Sequence, residues 1–92
     1  DCSDNLLQDL GFNCYNRIKF LDFHKNKIES IECLKFCPDL EILYSFRNKI
    51  ISLAGLENCL QLKILYANNN LITSLDNLSE NINLSTLYIN NN

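Results

Sequence analysis

The chain has 92 residues, 47% of them apolar, and a formal charge of −3 at pH 7. That length allows one small domain with a buried core, and the mild acidity argues against a protein that tracks nucleic-acid phosphates. No apolar run approaches the roughly 18 residues of a membrane span, and the longest candidates, such as Leu40 to Tyr44, are broken by charge.

The start, Asp1-Cys2-Ser3-Asp4, carries neither a methionine nor a signal-peptide pattern, so the chain is expected to be processed or to be a piece of something longer. Asparagine is abundant while glycine and proline are scarce, which argues against a disordered linker.

Written in blocks of 22, the sequence falls into columns. Ile18, Leu40, Leu62 and Leu84 share one, and Leu21, Leu43, Leu65 and Leu87 share the next. Asn26, Asn48, Asn70 and Asn92 make a third. Ile28, Ile50 and Ile72 follow, then Ile31, Leu53 and Leu75, then Leu34, Leu56 and Leu78. Each block cannot bury its own apolar face, whereas stacked blocks share a continuous core, which is the logic of a solenoid.

Taken in order, residues 1–17 read as a degenerate capping repeat, because Asn5-x-Leu7-x-x-Leu10 copies Asn26-x-Ile28-x-x-Ile31. Leu6, Leu7, Leu10 and Phe12 are expected to cover the open end of the first full block. Blocks 18–39, 40–61 and 62–83 and the partial block 84–92 then form one continuous domain. Within a block the period changes. Leu62-Lys63-Ile64-Leu65-Tyr66-Ala67 suits a short strand entering a turn, and Ile72-x-x-Leu75-x-x-Leu78 has spacing three, which suits a 3₁₀ turn or tight helical segment. The core position after the second leucine is irregular, with Phe23, Ser45, Ala67 and Ile89, and the small Ser45 and Ala67 are expected to leave space. The sequence stops at Asn92, halfway through a block, so further chain or a partner is expected to cover that end.

The block pattern, and above all Ile50-Ile51-Ser52-Leu53-Ala54-Gly55-Leu56-Glu57-Asn58, resembles the 22-residue class of leucine-rich-repeat proteins over residues 18 to 92. That class includes the protein phosphatase 1 nuclear regulatory subunit and the spliceosomal A-prime protein. The resemblance implies an α/β leucine-rich-repeat solenoid: a right-handed coil with a short parallel sheet on the concave face and 3₁₀ or short helical segments on the convex face. It also implies a structural asparagine ladder of Asn26, Asn48, Asn70 and Asn92. The physical reason is that a buried carboxamide donates twice and accepts, satisfying turn backbone that the sheet cannot pair.

Side chains alternate across a strand, so the residues between the leucines face outward. One outward column is Phe20, Ile42, Ile64 and Thr86; the next is Asp22, Tyr44, Tyr66 and Tyr88; the third is His24, Phe46, Asn68 and Asn90. With strands about 4.7–4.9 Å apart, Tyr44, Tyr66 and Tyr88 should form a ladder of exposed phenols. Aromatic rings with polar tips and flanking aliphatics are the makings of an interface, and the twelve residues are taken as the partner-binding face. The plainer reading is that cross-strand tyrosines simply stabilise the sheet. Asp22 and His24, with Arg47 nearby, are candidates for polar specificity or for solvated strand ends.

The cysteines, Cys2, Cys14, Cys33, Cys37 and Cys59, are odd in number and widely spaced, which is no disulfide framework. Cys37 and Cys59 share a column and read as small core residues. Cys33-x-x-x-Cys37 with His24 does not read as a metal site, because the histidine sits on the strand and the cysteines on the opposite arc. Reduced thiols point to an intracellular protein, cytoplasmic or nuclear. The sequons Asn77-Leu78-Ser79 and Asn83-Leu84-Ser85 are read as accidental.

His24 has no serine or cysteine in its column, and no phosphate loop or carboxylate pair appears, so neither an enzyme nor a cofactor is expected. Two roles remain. One is a protein-interaction module, a regulatory or scaffold subunit holding a partner on its concave face. The other is a structural component of a ciliary, spliceosomal or other ribonucleoprotein assembly, held mainly by its solenoid ends. Direct nucleic-acid contact and membrane insertion are not expected.

Overall fold

The computed structural model describes residues 18–92. The capping repeat expected over residues 1–17, with its leucines, Phe12, Cys2 and Cys14, lies outside the described residues.

Four strands form one parallel sheet in chain order: β1 (Phe20–Asp22), β2 (Ile42–Tyr44), β3 (Ile64–Tyr66) and β4 (Thr86–Tyr88). Their register is that of the repeat. Leu21 lies opposite Leu43, Leu43 opposite Leu65, and Leu65 opposite Leu87. The first three of these leucines are buried, and their chain neighbours face the other way. Backbone pairing runs on past the strands. The Phe23 and Lys25 N–H groups donate to the Tyr44 and Phe46 carbonyls at 3.0 Å, and Ser45 and Arg47 repeat this onto Tyr66 and Asn68 at 2.8 Å.

Each coil then bends at a residue with positive φ: Lys25 at 58°, Arg47 at 59°, Asn69 at 59° and Asn91 at 62°. Asparagine tolerates this left-handed conformation, whereas Lys25 and Arg47 hold it at a cost of about 1–2 kcal/mol each. The column is invisible in the sequence because lysine and arginine give no turn signal.

The bend aims the next residue, an asparagine, into the coil. Asn48 shows the full pattern. Its amide donates to the Ser45 carbonyl at 2.9 Å, to Phe46 at 3.3 Å and to Phe23 of the preceding coil at 3.1 Å. Its oxygen accepts the Ile28 N–H at 3.1 Å. Asn70 does the same one coil later, with Ser45, Ala67, Asn68 and Ile50, and Asn92 with Ala67, Ile89, Asn90 and Ile72. Asn26 donates to Phe23 and His24 within its own turn.

The returning segments use their spacing of three as a relay of hydrogen bonds from residue i+3 to residue i. Leu34 donates to Ile31, Cys37 to Leu34 and Leu40 to Cys37, and the same relay runs through Leu53, Leu56, Cys59 and Leu62 and through Leu75, Leu78, Asn81 and Leu84. Apolar side chains three apart eclipse on such a path, so one face can be apolar throughout. A serine opens each segment. The Ser30, Ser52 and Ser74 hydroxyls accept the N–H two residues on, at 3.3, 3.1 and 3.1 Å.

The first and third segments contain 3₁₀ helices, Glu32–Phe36 and Asp76–Leu78. The second is built of turns, because Gly55 adopts φ +114° where the first coil has Cys33. There the backbone lies so close to the preceding coil that a Cβ on Gly55 would sit 2.3 Å from the Ile31 carbonyl oxygen. The Gly55 N–H donates to the Glu57 carboxylate at 2.5 Å.

Glu57's pKa is held below its ordinary value of 4.5 by its own backbone N–H, then by that of Gly55, with the Asn77 side chain adding to them. A folded value below the unfolded one means that ionised Glu57 stabilises the fold above the ordinary glutamate pKa. That contribution is lost as pH falls through the lowered value. Glu57→Gln should therefore be less stable than the parent at neutral pH, and the two should converge in acid. Parallel stability curves across that range would rule out the contribution.

The core is one apolar cluster running from Leu21 to Ile72. Phe23, Ser45 and Ala67 are all fully enclosed, and the Ser45 hydroxyl donates to the Tyr66 carbonyl at 3.1 Å, so the small side chains sit without loss of a polar partner. Cys37 and Cys59 are fully buried, and the Cys59 thiol donates to the Leu34 carbonyl at 3.4 Å. Asn81 is the third member of that column. It donates to Leu56 at 3.1 Å and Cys59 at 2.8 Å, while its buried oxygen finds no partner among the described residues.

One expected core position is not core. Leu75 is 46% exposed, whereas its column mates Ile31 and Leu53 are fully buried. Each coil's apolar row is covered by the coil that follows, and no described returning segment follows that of Leu75. The exposure of Leu75 leaves this end of the coil apolar, whereas Ile82, 88% exposed, shares an outward column with the half-exposed Leu60.

Candidate protein-interaction face

Equal block lengths bring the three outward columns side by side. Phe20, Ile42, Ile64 and Thr86 pair along one line, and Asp22, Tyr44, Tyr66 and Tyr88 along the next. His24, Phe46, Asn68 and Asn90 follow just beyond the strand ends, where the Asn90 N–H donates to the Asn68 carboxamide oxygen at 3.0 Å.

The aromatic residues form a continuous stripe across all four strands. The Phe20 ring meets Tyr44 edge-on, with centroids 5.3 Å apart at 90°. Tyr44 stacks on Tyr66 at 4.7 Å and 14°, and Tyr66 meets Tyr88 at 4.7 Å but tilted by 49°. Strand spacing imposes these separations, and offset stacking is a favoured geometry for aromatic pairs. The expected ladder of exposed phenols needs correction. Stacking covers the inner ring faces, so Tyr44 and Tyr66 are half-buried, and only Phe20 and Tyr88, at the two ends, are about half exposed.

At the β1 end the polar residues are organised. Asp22 accepts from the His24 side chain, Nδ1 to Oδ1 at 2.5 Å, and from the His24 backbone N–H at 3.2 Å. A carboxylate on Nδ1 places the proton of the neutral ring there and leaves Nε2 as the acceptor. The same imidazole stacks on Phe46, 4.5 Å away and nearly parallel at 10°. Asp22 and His24 are thus a fixed pair, not two independent solvated groups. At the opposite strand end Lys63 reaches Glu41 across adjacent strands at 3.2 Å. Columns alone put His24 beside Phe46, but nothing in the spacing signals that Asp22 turns along its own strand to hold the ring.

A matching fold exists among solved structures. The described coil is similar to an internalin, a leucine-rich-repeat protein, from Listeria monocytogenes: TM-score 0.75 at 27% identity, covering 77% of this chain and 21% of the internalin. The chain has a leucine-rich-repeat fold. It thus spans about a fifth of the length of that leucine-rich-repeat neighbour. No family model and no curated protein matches the chain.

No helix among the described residues is long and apolar enough to cross a membrane. They hold no cluster of three or more metal-ligating side chains.

Proposed function

We propose that this leucine-rich-repeat chain is a protein-interaction module that receives a partner protein on its sheet face. The observation that carries the reading is the unbroken aromatic stripe from Phe20 through Tyr44 and Tyr66 to Tyr88, continued by the His24–Phe46 stack. A sheet that faced only solvent would gain little from apolar columns at Phe20, Ile42 and Ile64. A pre-stacked set of rings offers large contact area with little side-chain entropy left to lose. The same reading takes the repeat as one of the 22-residue class and the coil as right-handed. It takes the sheet as the concave surface, and the molecule as a non-enzymatic regulatory or scaffold subunit of the cytoplasm or nucleus.

The rival, a structural component held by its solenoid ends, is favoured by the exposed Leu75 on the last described returning segment. Affinity capture with the tagged chain separates the two. A partner retained by the parent should be lost by a Tyr44→Ala/Tyr66→Ala/Tyr88→Ala variant that keeps a cooperative unfolding transition. Tyr88→Ser, at a half-exposed position, should weaken capture without disturbing the fold. Equal capture by parent and variants would sink the sheet-face reading and favour the ends.

A further inference from the structure

The net negative chain carries a cationic edge. Lys25 and Lys27 in the first coil and Arg47 and Lys49 in the second are all exposed, and they make up four of the seven lysines and arginines among the described residues. Backbone bonds set the coils side by side here: the Lys25 N–H donates to Phe46 at 3.0 Å and the Lys49 N–H to Ile28 at 2.9 Å. The four cations therefore line the bend directly after the aromatic face. In the later coils the same columns hold Asn69, Leu71 and Asn91, so the charge is confined to one half of the edge. Among the described residues the acidic ones lie elsewhere. Glu32, Asp39, Glu57, Asp76 and Glu80 are on the returning segments, Glu41 is paired with Lys63, and Asp22 is engaged by His24. Glu29 is the one described acidic residue beside the row.

Resting on the sheet-face reading above, we propose that the partner docks as an acidic, extended protein segment. Its aromatic or aliphatic side chains lie along the tyrosine stripe, and its carboxylates meet Lys27, Arg47 and Lys49, with Lys25 beside them. Lys25 and Arg47 follow the stripe by three residues, about 10 Å at strand rise, and Lys27 and Lys49 follow just past the bend. Charge complementarity at the rim steers encounter and sets orientation while the apolar centre supplies the contact area. A nucleic acid fits less well. The row covers two coils only, and the Tyr44 and Tyr66 faces that would stack bases are occupied by each other.

The test is selection of a random dodecapeptide phage library on the biotinylated 92-residue chain. Fluorescence anisotropy of a selected, labelled peptide then follows, against the parent, Tyr66→Ala and Arg47→Glu/Lys49→Glu. Selected peptides should be enriched in Asp and Glu together with aromatic or aliphatic residues. The double reversal should weaken binding about tenfold, and added salt should weaken the parent towards it. Arg47→Gln/Lys49→Gln, which removes charge without adding repulsion, should fall between. Each variant's unfolding midpoint guards against misfolding. Peptides that need Tyr66 but show no acidic bias and ignore the charge variants would overturn this inference and leave the sheet-face reading standing. Peptides indifferent to Tyr66, or no selected peptide, would overturn both. An oligothymidylate that competes at similar concentration would replace the acidic peptide with a nucleic acid.

Discussion

Asn48→Ala should lower the unfolding free energy by about 3 kcal/mol, which for a chain of this size moves the thermal midpoint by roughly 12–24 °C. The effect concentrates on one atom. The three carbonyls that Asn48 serves have second donors: Phe23 also receives Asn26, Ser45 also receives Asn70, and Phe46 also receives the Lys25 N–H. The Ile28 N–H, by contrast, rests on the Asn48 oxygen in a fully buried setting. Alanine strands that donor and leaves a void beneath it. Asn92→Ala breaks the equivalent bond to Ile72 at an exposed position and should cost clearly less. Thermal and urea unfolding of both variants followed by far-ultraviolet circular dichroism would check the order. Equal midpoints for parent and Asn48→Ala would show that the buried carboxamide is dispensable.

Gly55→Ala should be at least as damaging, about 3–5 kcal/mol, with two independent causes. An L side chain at φ +114° is strained by about 1–3 kcal/mol. The new Cβ would also sit 2.3 Å from the Ile31 carbonyl oxygen and 2.9 Å from the Glu32 Cα, both backbone atoms that cannot rotate away. Relief requires the second coil to move off the first, which opens the core between Ile31 and Leu53. Ser52→Ala nearby removes only the acceptor of an exposed Ala54 N–H and should cost under about 1 kcal/mol. A Gly55→Ala protein with the stability of Ser52→Ala would mean that the coils are less tightly apposed than described.

Much of the candidate site is legible because every block has the same length. A constant period puts Tyr44, Tyr66 and Tyr88 in one column, and strand alternation separates them from the leucines without knowledge of any distance. What that logic misses is conformational. The left-handed bends at Lys25 and Arg47 carry residues that give no turn signal. The serines at 30, 52 and 74 are a readable column whose role appears only when their hydroxyls are seen accepting backbone N–H groups. Asn81 is easily passed over because its column mates are cysteines. Leu75 has the right spacing for the core but lacks a following segment among the described residues to cover it.

The sequence by itself determined the stacking unit, the alignment of its columns and the separation of an apolar inner row from an aromatic outer one, since these depend only on the period and on local backbone alternation. The tertiary structure alone decided how the coils touch. It set the tilt of Tyr88 against Tyr66, the turning of Asp22 onto His24 and the approach of Gly55 to Ile31. Those features depend on the distance between neighbouring coils and on side-chain rotamers, which no spacing along a single chain encodes.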